Sequence, residues 1–86
     1  MLLRLIELLP NNSDEPLDIY PHGGKEFVYV LEGILTSAID YEQHDLFPGD
    51  SAHYDSGVPH NLGNYTNKTA KFIVVNTPAY FDQEGQ

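Results

Sequence analysis

Eighty-six residues and 9.7 kDa leave room for one domain with a modest core, and 41% apolar with 20% charged residues place the chain among globular proteins. Thirteen acidic residues against four basic ones, a formal net charge of -9, argue against direct nucleic-acid binding by this chain and favour cations nearby. No apolar run is long enough to span a membrane, and the lack of cysteine removes disulfides and thiolate chemistry.

The opening MLLRLIELLP is interrupted by Arg4 and Glu7 and is followed by no small-residue cleavage site, so it reads as mature chain. Cytoplasm is taken as a default location rather than a deduction. Leu2, Leu5, Ile6 and Leu9 fit a helical stripe, but the strand-rich remainder favours a strand within residues 1–10, placed for dimer contact. Further on, NNSDEP, HGG, Gly33, PGD, SGVP and NYTNKT punctuate short runs rich in Val, Ile, Tyr, Phe and Leu. Those runs are Leu17 to Tyr20, Phe27 to Leu31, Leu35 to Tyr41, Ser51 to Tyr54, His60 to Gly63 and Lys71 to Asn76. Such spacing predicts an antiparallel sandwich or barrel, with YEQHDLFPG as a polar connection and residues 79–86 as a partly frayed tail. The whole of 1–86 is expected to be one domain.

Around Glu26 the period of two puts Glu26, Val28 and Val30 on one face and Phe27, Tyr29 and Leu31 on the other. Both faces are apolar, so the second is expected to meet another sheet or another copy, and a homodimer is predicted. A carboxylate beside a core face needs a partner.

Candidate ligands follow from that requirement. His22, Glu26 and His60 are the donor types that hold Fe(II), Mn(II), Ni(II), Co(II) or Zn(II), and two histidines with one carboxylate leave coordination positions open. The glycines after His22 permit a sharp turn, and Pro59 stiffens the approach to His60. Against this stand a loop histidine, a strand-edge carboxylate and a turn residue without shared purpose. Gly33 and Gly49 read as turn residues, Asp50 as a turn cap, His44 as solvated and His53 as facing away from Ala52 and Tyr54.

Two stretches resemble the paired motifs of the cupin superfamily. Glu26, six residues and Gly33 fit the first motif, with His22 at its second histidine position and Tyr20 where the first histidine is usual. GDSAHYDSGVPHNLGN, Gly49 to Asn64, is similar to the second motif, with PGD at its start and His60 and Asn64 at its close. The resemblance covers Leu17 to Pro78 and implies an all-β fold, the cupin double-stranded β-helix or jelly-roll barrel. It also implies a three-ligand metal site of His22, Glu26 and His60, similar to that of the metal-dependent epoxidase branch, or an empty site. In this reading Tyr20 donates a hydrogen bond to a bound substrate or metal-bound water, or packs at the barrel mouth, and Asn64 donates into the cavity or fixes the following loop.

KEFVYVLEG further resembles the carboxyl-terminal cupin of helix-turn-helix bacterial regulators, although no helix-turn-helix pattern occurs in this chain. The function expected from that resemblance is a sensor module for a small polar or anionic ligand, a divalent metal, or both. Two alternatives stay open: a metal-dependent oxygenase or isomerase/epimerase, and a structural cupin with a vestigial site.

Overall fold

The computed structural model describes residues 2–11, 24–55 and 57–77. Among them are seven strands and no helix: β1 Leu2–Leu8, β2 Lys25–Glu32, β3 Leu35–Ile39, β4 Glu42–Leu46, β5 Ser51–Asp55, β6 His60–Gly63 and β7 Ala70–Thr77. No helix is therefore long and apolar enough to cross a membrane among the described residues. The strands form a four-stranded sheet in the order β1-β7-β2-β5 and a three-stranded sheet in the order β4-β3-β6, with every pairing antiparallel.

Alternation along each strand decides what enters the core. On β2, Glu26, Val28 and Val30 point inward; on β7, Ala70, Phe72, Val74 and Asn76 do the same. Leu35 from β3 and Leu62 from β6 meet them from the other sheet, so a single apolar cluster joins the two sheets. The ambiguous first segment is a strand, paired from Leu2↔Asn76 to Leu8↔Ala70. Partnership with the β-branched β7 settles what its own periodicity left undecided.

Two turns behave as their residues dictate. Gly33 has φ +78°, and a Cβ there would sit 2.6 Å from the Thr69 carbonyl oxygen, so this position requires glycine on both counts. In the PGD turn, the Asp50 carboxylate accepts from the Phe47 amide at 2.9 Å, which caps the bend. The turn is tied to β2 by the Gly49 amide donating to the Val30 carbonyl and the Val30 amide to that of Asp50.

One element departs from expectation. The polar connection YEQHDLFPG is not a loop; Glu42–Leu46 forms β4, joined to β3 by Asp40 and Tyr41 with φ of 53° and 69°. Two successive residues of positive φ between partners Ile39↔Glu42 make a two-residue hairpin of the type I′ kind. The predicted strand at residues 17–20 and the tail at 79–86 lie outside the described residues.

Candidate functional site

Glu26 is the second residue of β2, and its place in the strand's alternation turns its carboxylate inward, where it is 1% exposed. Directly opposite it on β5 stands Tyr54, and directly opposite on β7 stands Asn76. Register therefore delivers two hydrogen-bond donors to a buried carboxylate. The Tyr54 hydroxyl donates to Glu26 Oε2 at 2.8 Å, and Asn76 Nδ2 donates to Glu26 Oε1 at 3.3 Å. Asn76 Oδ1 in turn accepts from Arg4 Nη2 at 3.2 Å, extending the polar row to β1. Both carboxylate oxygens are thus engaged, as burial of such a group demands.

His60 approaches from the opposite sheet, at the first position of β6. Its Nδ1 lies 2.9 Å from the Val58 carbonyl oxygen. A carbonyl only accepts, so Nδ1 carries the hydrogen, and Nε2 is left for another partner. Nε2 lies 3.7 Å from Glu26 Oε1, beyond hydrogen-bond distance. The ring also rests against Tyr54, centroids 5.1 Å apart and planes tilted by 46°. His60 Nε2 and Glu26 Oε1 thus stand opposite one another across the two sheets without a direct hydrogen bond.

Of the residues singled out from the sequence, Glu26 and His60 come together. Asn64 serves the loop between β6 and β7: Nδ2 donates to the carbonyls of Leu8 and Lys68 at 2.9 and 2.6 Å, and Oδ1 accepts from the Thr66 amide and hydroxyl at 3.0 and 2.7 Å. All its capacity is spent there, which is the loop-fixing role of the two considered. Tyr20 and His22 lie outside the described residues. His53 points outward from β5, and His44 is exposed beside Glu42 on β4.

Tyr54, Asn76 and Arg4 are site residues that sequence reasoning passed over. A signal was present in the strand phases. Val30, Val28, Glu26 on β2 and Phe72, Val74, Asn76 on β7 both run from apolar to polar along their inward face, ending in the same cross-strand row.

The donor chemistry fits a divalent ion in part. Carboxylate and imidazole are suitable ligands, and a tetrahedral ion about 2.0–2.1 Å from each holds two donors about 3.4 Å apart, close to the observed gap. The Nδ1 bond to Val58 is the kind of outer contact that would orient an imidazole if it served as a ligand. Among the described residues, no group of three His, Cys, Asp or Glu side chains gathers.

Facing antiparallel sheets, with a buried glutamate on one and a histidine on the other, define a small all-β barrel. A family profile described as "Cupin domain" matches residues 4–76, and the chain belongs to the cupin family. It is 32% identical over 60 residues to the HTH-type transcriptional regulator PuuR of Escherichia coli K12, a match covering 70% of this chain and 32% of that protein. The same protein from Shigella flexneri matches to the same extent, so the chain spans about a third of the length of these curated relatives. Among solved structures, it is similar to a cupin-superfamily sugar phosphate isomerase from Silicibacter pomeroyi DSS-3, with 31% identity, a TM-score of 0.69 and coverage of 87% of this chain and 48% of that one. It is also similar to FeII HppE, with 28% identity, a TM-score of 0.71 and coverage of 87% and 41%.

Proposed function

We propose that this chain is a sensor module that binds a divalent metal, a small polar or anionic ligand, or both, between its two sheets, and belongs to a transcriptional regulator. The observation that carries the binding reading is the opposition of His60 Nε2 and Glu26 Oε1 at 3.7 Å with His60 Nδ1 already committed to Val58. Glu26 and His60 would hold the ion, and His22 is the third ligand proposed. A bound divalent ion supplies positive charge that draws an anionic ligand to the barrel mouth and can polarise its oxygen. Tyr54 and Asn76 keep the carboxylate aimed while the site is filled or emptied. The likeness to an HTH-type regulator supports the regulatory setting. An acidic chain leaves DNA contacts to another segment of such a protein, and ligand preference for one state of the whole would shift its occupancy of DNA.

A second reading, a metal-dependent isomerase or oxygenase, has one favouring observation. A phenol 2.8 Å from a buried carboxylate is a pair able to pass a proton, and a sugar phosphate isomerase is among the similar structures.

Metal analysis of chain purified without chelator tests the binding reading. Stoichiometric metal in the wild type, lost in Glu26→Gln, His60→Ala and His22→Ala, is the expected result. Wild-type protein that carries no metal, and whose Tm is unmoved by Fe, Mn, Ni, Co or Zn, overturns it. Turnover of a sugar phosphate by the isolated chain would move the assignment from sensor to enzyme.

A further inference from the structure

β1 brings a positive charge to the inner side of the barrel. Arg4 stands opposite Val74, which stands opposite Val28, and both valines are completely buried. Residues directly opposite on paired strands share a face, so the Arg4 side chain starts from the inward side of the four-stranded sheet, in phase with the core residue Leu8. Its half-buried guanidinium reaches the neighbouring inward row, where Nη2 donates to Asn76 Oδ1 at 3.2 Å. The same amide donates from Nδ2 to Glu26 Oε1 at 3.3 Å, and Glu26 Oε1 is the atom opposite His60 Nε2. One side-chain amide therefore separates this cation from the Glu26–His60 pair.

Of the four Lys and Arg residues in the chain, Arg4 is the one on this face among the described residues. Lys25 is on the outward phase of β2 with Asp55 at 2.9 Å, and Lys71 is on the outward phase of β7 with Glu7 and Glu32 at 3.4 and 3.5 Å. Lys68 is exposed in the loop between β6 and β7. A purely structural role explains the guanidinium poorly. β1 is already paired with β7 from Leu2 to Leu8, and a neutral amide side chain would bond Asn76 without placing a half-buried charge beside the core. What a guanidinium adds is a planar fork of donors that matches two oxygens of one carboxylate or phosphate group. Asn76 is a neutral acceptor, so its bond orients the fork without cancelling the charge.

We propose that Arg4 is a ligand-recognition residue that grips the carboxylate or phosphate group of a small molecule held between the two sheets. This rests on the reading of the space beside Glu26 and His60 as a ligand site. The acidic group lies against Arg4, and the rest of the ligand extends along the polar row toward His60, whose Nε2 is left for another partner. Against the repulsion of a chain with formal charge -9, this one inward cation is what admits an anion. A neutral amide of the same molecule forfeits the charge-assisted bonds and is rejected.

Arg4 is the single arginine of the chain, so its guanidinium gives one Nε–H signal in heteronuclear NMR, assigned without a variant. On metal-stripped protein, inorganic phosphate or malonate is expected to shift that signal saturably, whereas chloride at equal ionic strength and neutral malonamide should leave it in place. A response to phosphate alone assigns a phosphoryl ligand, and a response to malonate alone a carboxylate. Arg4→Lys keeps the charge and loses the fork, so it is expected to weaken calorimetric binding of the effective anion by about tenfold, and Arg4→Gln by more, with far-UV circular dichroism retained. Should either variant fail to fold, protection of wild-type Arg4 from phenylglyoxal by the same anions, read by mass spectrometry, takes its place. A signal that no anion moves beyond the chloride control overturns the proposal, and so does an anion affinity unchanged in folded Arg4→Gln. Bound metal together with an unresponsive Arg4 defeats this inference alone. An anion that shifts Arg4 in a chain that takes up no metal defeats only the metal-binding reading.

Discussion

Glu26 survives in the core because each of its oxygens has a donor on a neighbouring strand, and the energetics of the site follow from that. Tyr54→Phe removes a buried hydrogen bond to a carboxylate and is expected to lower stability by about 1.5–3 kcal/mol in urea titration, a loss in the range for bonds to charged groups. The phenyl ring keeps the packing against His60, so the change isolates the hydroxyl. A destabilisation below about 0.5 kcal/mol would mean that Tyr54 does not satisfy the carboxylate. Lys71 offers a pH test at the same scale. The charge of Glu32, ahead of the contributions of Glu7, raises its pKa above 10.5. A raised lysine adds stability that is complete below the unfolded value and is lost as pH climbs through the folded one. The difference in urea midpoint between wild type and Lys71→Gln should therefore be flat from about pH 6 to 9 and shrink only above about 10.5, the unperturbed lysine range. Salt should reduce it, since these groups are solvent-exposed.

At the scale of the element, the β3–β4 hairpin shows what a propensity reading cannot see. Asp40 and Tyr41 occupy positive φ without a glycine, and Glu42–Leu46 is polar and largely exposed along its length, so neither the turn nor the strand announces itself. What holds β4 is cross-strand pairing: five register pairs with β3 and the Thr36 hydroxyl donating to Asp45 at 2.8 Å. Tyr41→Gly turns the loop into Asp-Gly, the preferred type I′ pair, and should raise stability by up to about 1 kcal/mol, because Tyr41 is 88% exposed and has little packing to lose. An unchanged or lower urea midpoint would contradict this. Gly33→Ala should act in the opposite sense and more strongly. Its Cβ would meet backbone at 2.6 Å, which no side-chain rotation relieves, so a loss of about 2 kcal/mol or more is expected in the same assay.

For the whole molecule, stability rests on a narrow core spanning both sheets. Phe72 is completely buried among Val28, Val30, Val74, Leu35 and Leu62. Phe72→Ala should cost about 3–5 kcal/mol, a large share of the roughly 5–10 kcal/mol available to a domain of this size, and leave a chain largely unfolded at 37 °C by circular dichroism. Much of this architecture was legible in the residues. Alternating apolar positions set the phase of β2, so that Glu26 had to face inward, and glycine at 33 and the PGD turn placed the bends. The part of the site that was not legible lies in pairings across long sequence separations. Tyr54 and Asn76 reach Glu26 from 28 and 50 residues away, and Arg4 reaches Asn76 from 72. Local pattern reports which way a side chain points relative to its own strand. Only strand order and register report which side chain stands opposite. The sequence by itself therefore determined the strand periodicity, the turns, the acidic field and the candidates Glu26 and His60. Tertiary structure decided that these two face one another across the sheets, that Asn64 is committed to its loop, and that the apolar residues of β1, β2 and β7 share one outer face, because each of those facts is a property of pairing between distant segments.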